Sequence, residues 1–230
     1  MKLSLISFLI FASVSCNKAT ALNLDSSKSP IGLLLDSALA SAGIDQTVIA
    51  EANNIVGLSA NQLDYGGWYN ASPIKVMRCS HGQDLADPNC AGSVTKVEFC
   101  TVNDHSCNGG DSSHQVQTGP LFKVCDDLNK RNNGIGFGGT NTWRVPTCRD
   151  FSSAGNDCEL FIFYQYFLLH QSQFPNTEED LYWSAEPSSF PDMAYAISFS
   201  TTTPTPYATT TPKLNKESVR CVSGGSLSHH

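Results

Sequence analysis

The chain has 230 residues, of which 40% are apolar and 15% charged, with a formal net charge of −7. That apolar share supports a packed core, and the length suits one large domain or one domain with an extension. The acidic surplus repels nucleic acid and anionic membranes at long range, so neither is expected as a partner.

Residues 1–21 read as a targeting segment. Lys2 supplies a positive start, Leu3 to Val14 is largely apolar, and Ala19-Thr20-Ala21 is an A-x-A cleavage site. A lipoprotein reading would use Cys16 as the acylated residue, but Ser13 stands where such signals carry leucine. No other stretch is long and apolar enough to span a bilayer, so no stable membrane insertion is expected. Cleavage after Ala21 removes Lys2 and Lys18 and takes the net charge to −9. It also leaves eight cysteines: Cys79, Cys90, Cys100, Cys107, Cys125, Cys148, Cys158 and Cys221. An even number in an exported chain reads as a disulfide framework, and with no C-x-x-C pair no metal site is expected.

Apolar residues recur at helical spacing from Ile31 to Ala42, between Pro30 and Gly43, and a second helix is expected from Gln46 to Val56. These helices either pack on the rest of the chain or form a partner-binding hairpin. Asp64 to Tyr69 is turn-rich, and Asn70-Ala71-Ser72 fits the N-glycosylation pattern. Ile74 to Met77 and Val94 to Val102 read as strands. Each leads into a polar loop, which Cys79–Cys90 and Cys100–Cys107 would staple locally. Asp104, His105, Asn108 and Asp111 gather in a Gly-rich loop. Oxygen donors at that density suit calcium, but they are also ordinary turn residues and lack the order of an EF-hand.

Pro120 to Asn132 is the strongest helix of the second half, with an apolar face of Leu121, Phe122, Val124, Cys125 and Leu128. Gly134, Gly136 and Gly139 form a lone G-x-G-x-x-G. It comes after a helix and opens none, which excludes a dinucleotide fingerprint. Pro146 biases Trp143 to Val145 to an extended form. Thr147 then caps a short helix from Cys148 to Ala154, with Asp150 in the acid position. Cys148 and Cys158 bracket that helix and can close on each other. Leu160 to Leu169 is apolar and aromatic throughout, and reads as a buried helix or a hydrophobic contact surface capped by His170. Tyr195 to Phe199 alternates as a strand. Ser200 to Pro212 has the Thr/Pro composition of a mucin-type linker.

No nucleophile elbow, H-E-x-x-H or P-loop occurs, and Glu178-Glu179-Asp180 reads as a solvated turn. No catalytic residue is therefore assigned, and the chain is not read as an enzyme.

Four blocks carry a family resemblance: Phe122 to Asn129, Trp143-Arg144-Val145-Pro146-Thr147, Leu181-Tyr182-Trp183-Ser184-Ala185, and Val219-Arg220-Cys221-Val222. In this order they resemble the C-terminal domain family of the Legionella collagen-like adhesin, over about residues 115–223. The resemblance implies an α+β, C-type-lectin-like fold in secreted or surface bacterial proteins that bind rather than catalyse. It makes Tyr182 to Ala185 a central strand and the segment after it a hairpin, with Tyr195 to Phe199 as its first arm. Residues 200–212 become a long loop inside the fold, because Val219 to Val222 must return as the last strand. In such a fold the first helix lies beside the last strand, which implies a Cys125–Cys221 bridge. Related folds include a sulfatase-activating oxidase with reactive cysteines, but the even cysteine count favours structural bridges.

Binding sites of lectin-like folds lie in the loops after the central strand, which here points to Trp183, Glu186, Ser188, Asp192 and Tyr207. Core packing is the competing role for Trp183 and Trp143. Glu186-Pro187-Ser188 resembles the E-P-N triplet of calcium lectins, but serine replaces the amide and there is no W-N-D triplet after it. No cofactor is therefore assigned, with calcium the one alternative. The expected organisation is a signal peptide over 1–21, a helical extension over 22–72, a lectin-like domain over 73–223 and a disordered tail over 224–230. The expected function is adhesin-like recognition of a surface protein or glycan, a neutral one given the acidic surface. The alternative is a structural or assembly component of a surface appendage, docking through the N-terminal helices.

Overall fold

Gly119, at φ 117°, turns the chain into Pro120, whose fixed φ suits the first helical turn. In the computed structural model the residues described are 46–58, 73–108, 118–148, 158–202 and 208–224. All lie in the second of two units, Met1–Gly43 and Ile44–His230. The expected signal peptide, the Ile31 helix, Asp111, Asn70, the helix after Cys148, Tyr207 and residues 225–230 lie outside the described residues.

Three α-helices lie among the described residues. We number them α1 (Gln46–Ala52), α2 (Pro120–Asn129) and α3 (Glu159–Leu169). The α2 helix buries Leu121, Phe122, Cys125 and Leu128. It stops short of the expected Asn132 because Asn132 and Asn133 adopt left-handed φ of 52° and 58°. The apolar run Leu160 to Leu169 is the buried helix α3, with the Cys158 sulfur accepting from the Phe161 N–H at 3.2 Å. His170 ends it, its ring 4.2 Å from that of Tyr166.

The strands are β1 (Ile55–Leu58), β2 (Ile74–Met77), β3 (Val97–Glu98), β4 (Leu181–Pro187), β5 (Met193–Ser198), β6 (Ala208–Pro212), β7 (Lys216–Glu217) and β8 (Val222–Gly224). They form three small antiparallel sheets, ordered β1-β2-β8, β3-β7 and β4-β5-β6. Arg144 extends the first by exchanging two 2.8 Å bonds with Val222.

Four expectations change here. The second N-terminal helix ends at Ala52 rather than Val56, because Ile55 and Val56 pair with Met77 and Val76. β-Branched residues take the ladder when a partner strand is present. The strand expected over Val94 to Val102 shrinks to Val97 and Glu98 opposite β7. The loop expected over residues 200–212 contains β6, in register with β5 from Met193↔Pro212 to Ile197↔Ala208. Gly224, placed in the tail from sequence, closes β8.

Two apolar clusters fill the domain. One joins α3 to β2, Tyr182, Ile197, Phe199 and Val222. The other joins α2 to Phe99, Phe137, Trp143, Trp183 and the alanines of β4 and β5. Four disulfides tie these layers: Cys79–Cys90, Cys100–Cys107, Cys125–Cys221 and Cys148–Cys158.

Candidate functional site

Trp183 lies in the core. It is 0% exposed, its indole Nε1 donates to the Val97 carbonyl at 2.8 Å, and its ring meets Phe99 edge-on. A side chain so enclosed has no surface to offer a ligand. Trp143 is likewise internal, donating to the Phe137 carbonyl at 3.2 Å.

Glu186 and Ser188 are also buried, each 2% exposed. Ser188 shapes the β4–β5 turn: its N–H donates to the Met193 carbonyl, and its hydroxyl accepts from the Phe190 N–H, both at 3.0 Å. Of the sequence-derived set, Asp192 alone among the described residues reaches solvent. The turn brings Ser188 and Asp192 together and leaves Trp183 inside.

The same turn displays a residue that the sequence reading missed. Phe190 is 64% exposed, on a backbone fixed by the Ser188 bonds and by Met193 N–H to Phe190 carbonyl at 3.1 Å. Lys213, itself buried, joins three loops at this end of the molecule. Its N–H donates to the Asp192 carbonyl at 2.8 Å, its carbonyl accepts from the Phe99 N–H at 3.0 Å, and its Nζ donates to the Asp104 carbonyl at 2.7 Å. Burial pulls the ammonium below its ordinary pKa, against the carboxylates of Asp104 and Asp192. Each of the three loops carries an exposed apolar side chain: Phe190, Leu214 at 42% and Val102 at 41%. Lys213 thus ties together the loops that carry these three side chains and the carboxylates of Asp104 and Asp192, a group we call the Phe190 pole.

The loop weighed for calcium contributes Asp104 to this pole. Its carboxylate accepts from the Ser106 N–H at 2.8 Å, closing a turn. Among the described residues, no group of three or more His, Cys, Asp or Glu side chains is placed to hold a metal.

A second feature lies between the Cys79–Cys90 loop and α2, where a cleft of about 400 Å³ is lined by His81, Leu85, Val124, Asp127, Leu128 and Arg131. The loop wall is rigid. Gln83 is buried, accepting from Ser80 N–H at 2.7 Å and donating to the Asn176 carbonyl at 2.8 Å. Gly82 has φ 92°, and a Cβ there would run into Thr95. His81 is half-buried, and burial lowers its pKa while the Asp127 carboxylate opposes the shift. Asp127 is drawn down by hydrogen bonding to Lys123. Arg131 is held by Glu51 of α1, which accepts from its Nε at 2.8 Å and its Nη2 at 2.6 Å. The buried Glu51 also accepts from Asn132 Nδ2 at 2.7 Å and Gly138 N–H at 3.0 Å. Sequence alone could not find this cleft, because its walls come from segments some forty residues apart and no motif joins them.

The resemblance blocks hold the scaffold. Asn129 of α2 exchanges two bonds with the Trp143 backbone, at 2.6 and 2.8 Å. Arg144 makes a bidentate pair with the buried Glu159 at 2.5 and 2.6 Å, and Glu159 also accepts from Thr147 N–H. Arg220 is 1% exposed and lies over the rings of Phe163, Phe174 and Tyr182 at 5.4–5.6 Å. The fourth block supplies Cys221, bonded to Cys125 of the first.

A family model for the Lcl C-terminal domain matches residues 77–223. The chain belongs to that family. Lcl C-terminal domains are surface-associated and adhesin-like, so the coarse function is that of a surface protein. No curated protein and no solved structure matches the chain. The family match begins at Met77, the last residue of β2, whereas the first sheet of this Lcl C-terminal domain also takes β1 from upstream. β1 lies before residue 73, the expected start of the lectin-like domain, and pairs with β2 after it.

Proposed function

We propose that the chain is exported through residues 1–21 and acts as a secreted or surface-exposed, adhesin-like binding protein with a C-type-lectin-like domain. It recognises a surface protein or glycan rather than catalysing a reaction. Family membership, the α+β architecture and the four disulfides support this reading. The observation that carries the site is Phe190, an exposed aromatic on a hydrogen-bonded turn beside Asp192. Exposed, pre-organised aromatics anchor recognition surfaces at low entropic cost. The carboxylates around it disfavour sulfated polysaccharides and favour a neutral or basic partner.

The assembly-component reading places docking on both N-terminal helices. In the structure α1 and β1 are committed to the domain through Glu51 and the β1–β2 ladder, which favours the adhesin reading.

The test is binding of the labelled protein to a glycan array and to host-cell and biofilm surfaces, with calcium and with chelator. Calcium-independent binding that Phe190→Ser weakens is expected. Substitution at so exposed a position should change folding stability by less than about 0.5 kcal/mol. Binding as tight in both Phe190→Ser and Asp192→Asn as in the wild type would refute the assignment of the site.

A further inference from the structure

We propose that the cleft between the Cys79–Cys90 loop and α2 is a second binding site, separate from the Phe190 pole, and that it takes a neutral sugar ring. Three properties point to that class of ligand.

The first is the mixture of hydrogen-bonding groups. Among the described residues, no partner holds the ring nitrogens of His81, and a neutral imidazole offers one donor and one acceptor. Asp127 offers acceptors only. Arg131 keeps Nη1 as a donor after Glu51 has taken Nε and Nη2. Vicinal hydroxyls donate and accept together, and so satisfy such a set. A phosphate or sulfate accepts only.

The second is charge. Glu51 neutralises Arg131, so the cleft's remaining fixed charges are the carboxylates of Asp84 and Asp127, the latter already drawn on by Lys123 and Lys130. An anion would meet repulsion here, and a neutral ligand meets none.

The third is shape and stiffness. Leu85, Val124 and Leu128 give the cleft an apolar lining suited to the C–H face of a ring, and about 400 Å³ falls within the usual size of small-ligand sites. The loop wall is closed by the Cys79–Cys90 bond and by turns at two aspartates: Asp84 Oδ1 accepts from Ala86 N–H, and Asp87 Oδ1 from Asn89 N–H, both at 2.9 Å. Asn54 Nδ2 donates to the Leu85 carbonyl at 2.5 Å. A site already ordered loses little entropy when it binds.

The experiment is saturation-transfer NMR of the full chain with the methyl glycosides of glucose, galactose, mannose and N-acetylglucosamine. A sulfated heparin disaccharide is the anionic arm, and amide spectra serve as the control for fold. At least one neutral glycoside should bind and shift the amides of residues 81–86 and 124–131. His81→Ala should weaken it about tenfold, the loss of one hydrogen bond. Val124→Trp, which fills the cleft from a half-buried helix position, should abolish it, and Phe190→Ser should leave it unchanged. If His81→Ala disturbs the fold, Asp127→Asn on the exposed helix surface carries the same expectation. The proposal fails if no glycoside binds, if binding is indifferent to these cleft variants in folded protein, or if the sulfated disaccharide binds more tightly than every neutral one.

Discussion

Removing the Cys125–Cys221 bridge should cost more stability than removing any other disulfide. It closes 96 residues of chain, against 11 for Cys79–Cys90, 10 for Cys148–Cys158 and 7 for Cys100–Cys107. On the chain-entropy model, closing the long loop stabilises by about 4.7 kcal/mol and each short loop by about 2.4–2.8 kcal/mol. The difference, about 2 kcal/mol, is large beside a typical domain's stability. Cys125 and Cys221 are buried to 1% and 3% exposure, and Cys79 and Cys90 to 1% and 0%, so the cost of truncation to alanine is similar for the two pairs. The assay is urea unfolding of the Cys125→Ala/Cys221→Ala and Cys79→Ala/Cys90→Ala proteins, monitored by the fluorescence of the buried Trp143 and Trp183. The long-loop variant should also unfold with the steeper denaturant dependence, because its unfolded chain exposes more surface. Equal losses, or a larger loss for the short loop, would refute the loop-length argument.

Glu51→Gln should destabilise by about 3 kcal/mol, because the new amide turns a donor toward the donors of Arg131, Asn132 and Gly138; chemical denaturation measures it. Glu217 is buried, and burial, with the Asp180 carboxylate, raises its pKa above the ordinary 4.5. Its ionisation therefore favours the unfolded state as pH rises past that value. Glu217→Gln should be more stable than wild type at pH 7 and lose that advantage at pH 4; a gain that is the same at both would contradict the sign. Among the described residues no carboxylate pairs with the buried Arg220, whose Nη2 donates to Ser80 Oγ at 2.8 Å and Thr177 Oγ1 at 2.9 Å. Arg220→Met removes a desolvated charge while keeping bulk, and should change stability by about 1 kcal/mol or less, where Arg220→Ala costs about 3–5 kcal/mol. Equal losses for the two would show that the charge itself holds the aromatic cluster.

What could be read from sequence divides along the range of the forces involved. Helices α2 and α3 were legible because their signals are local: Pro120 at a start and an apolar stripe in one, and a dense apolar and aromatic run in the other. Strand β1 was not, since Ile55 to Leu58 continues a helical period and becomes a strand only when β2 lies beside it. Strand β6 was hidden by composition. Pro204 and Pro206 made the region resemble a linker, while Thr209 to Thr211 carried the β-branching that pairs with β5. Of the side chains singled out after the central strand, burial takes Trp183, Glu186 and Ser188 inside, while Phe190 of the same turn stands exposed, and no pattern in the chain announces which aromatic turns outward. The cleft had no sequence signal at all.

The long disulfide has a mechanical consequence. Of the strands in the first sheet, β8 lies beyond Cys221 and β1 and β2 lie before Cys125, so all three fall outside the covalent loop. A pull applied between residues 46 and 224 loads β1, β2 and β8 and can peel them apart one hydrogen bond at a time. It then meets the bridge, and tension passes from one sulfur to the other without entering the 96 residues between them. Those residues hold roughly 320–350 Å of contour that cannot be released under load. The segment carrying α3, β4, β5, β6 and the Phe190 turn is therefore shielded from drag, and a domain tethered by its ends keeps that turn folded after its outer sheet has given way, while the loop of Val102 and Asp104, which precedes Cys125, stays on the path of the load.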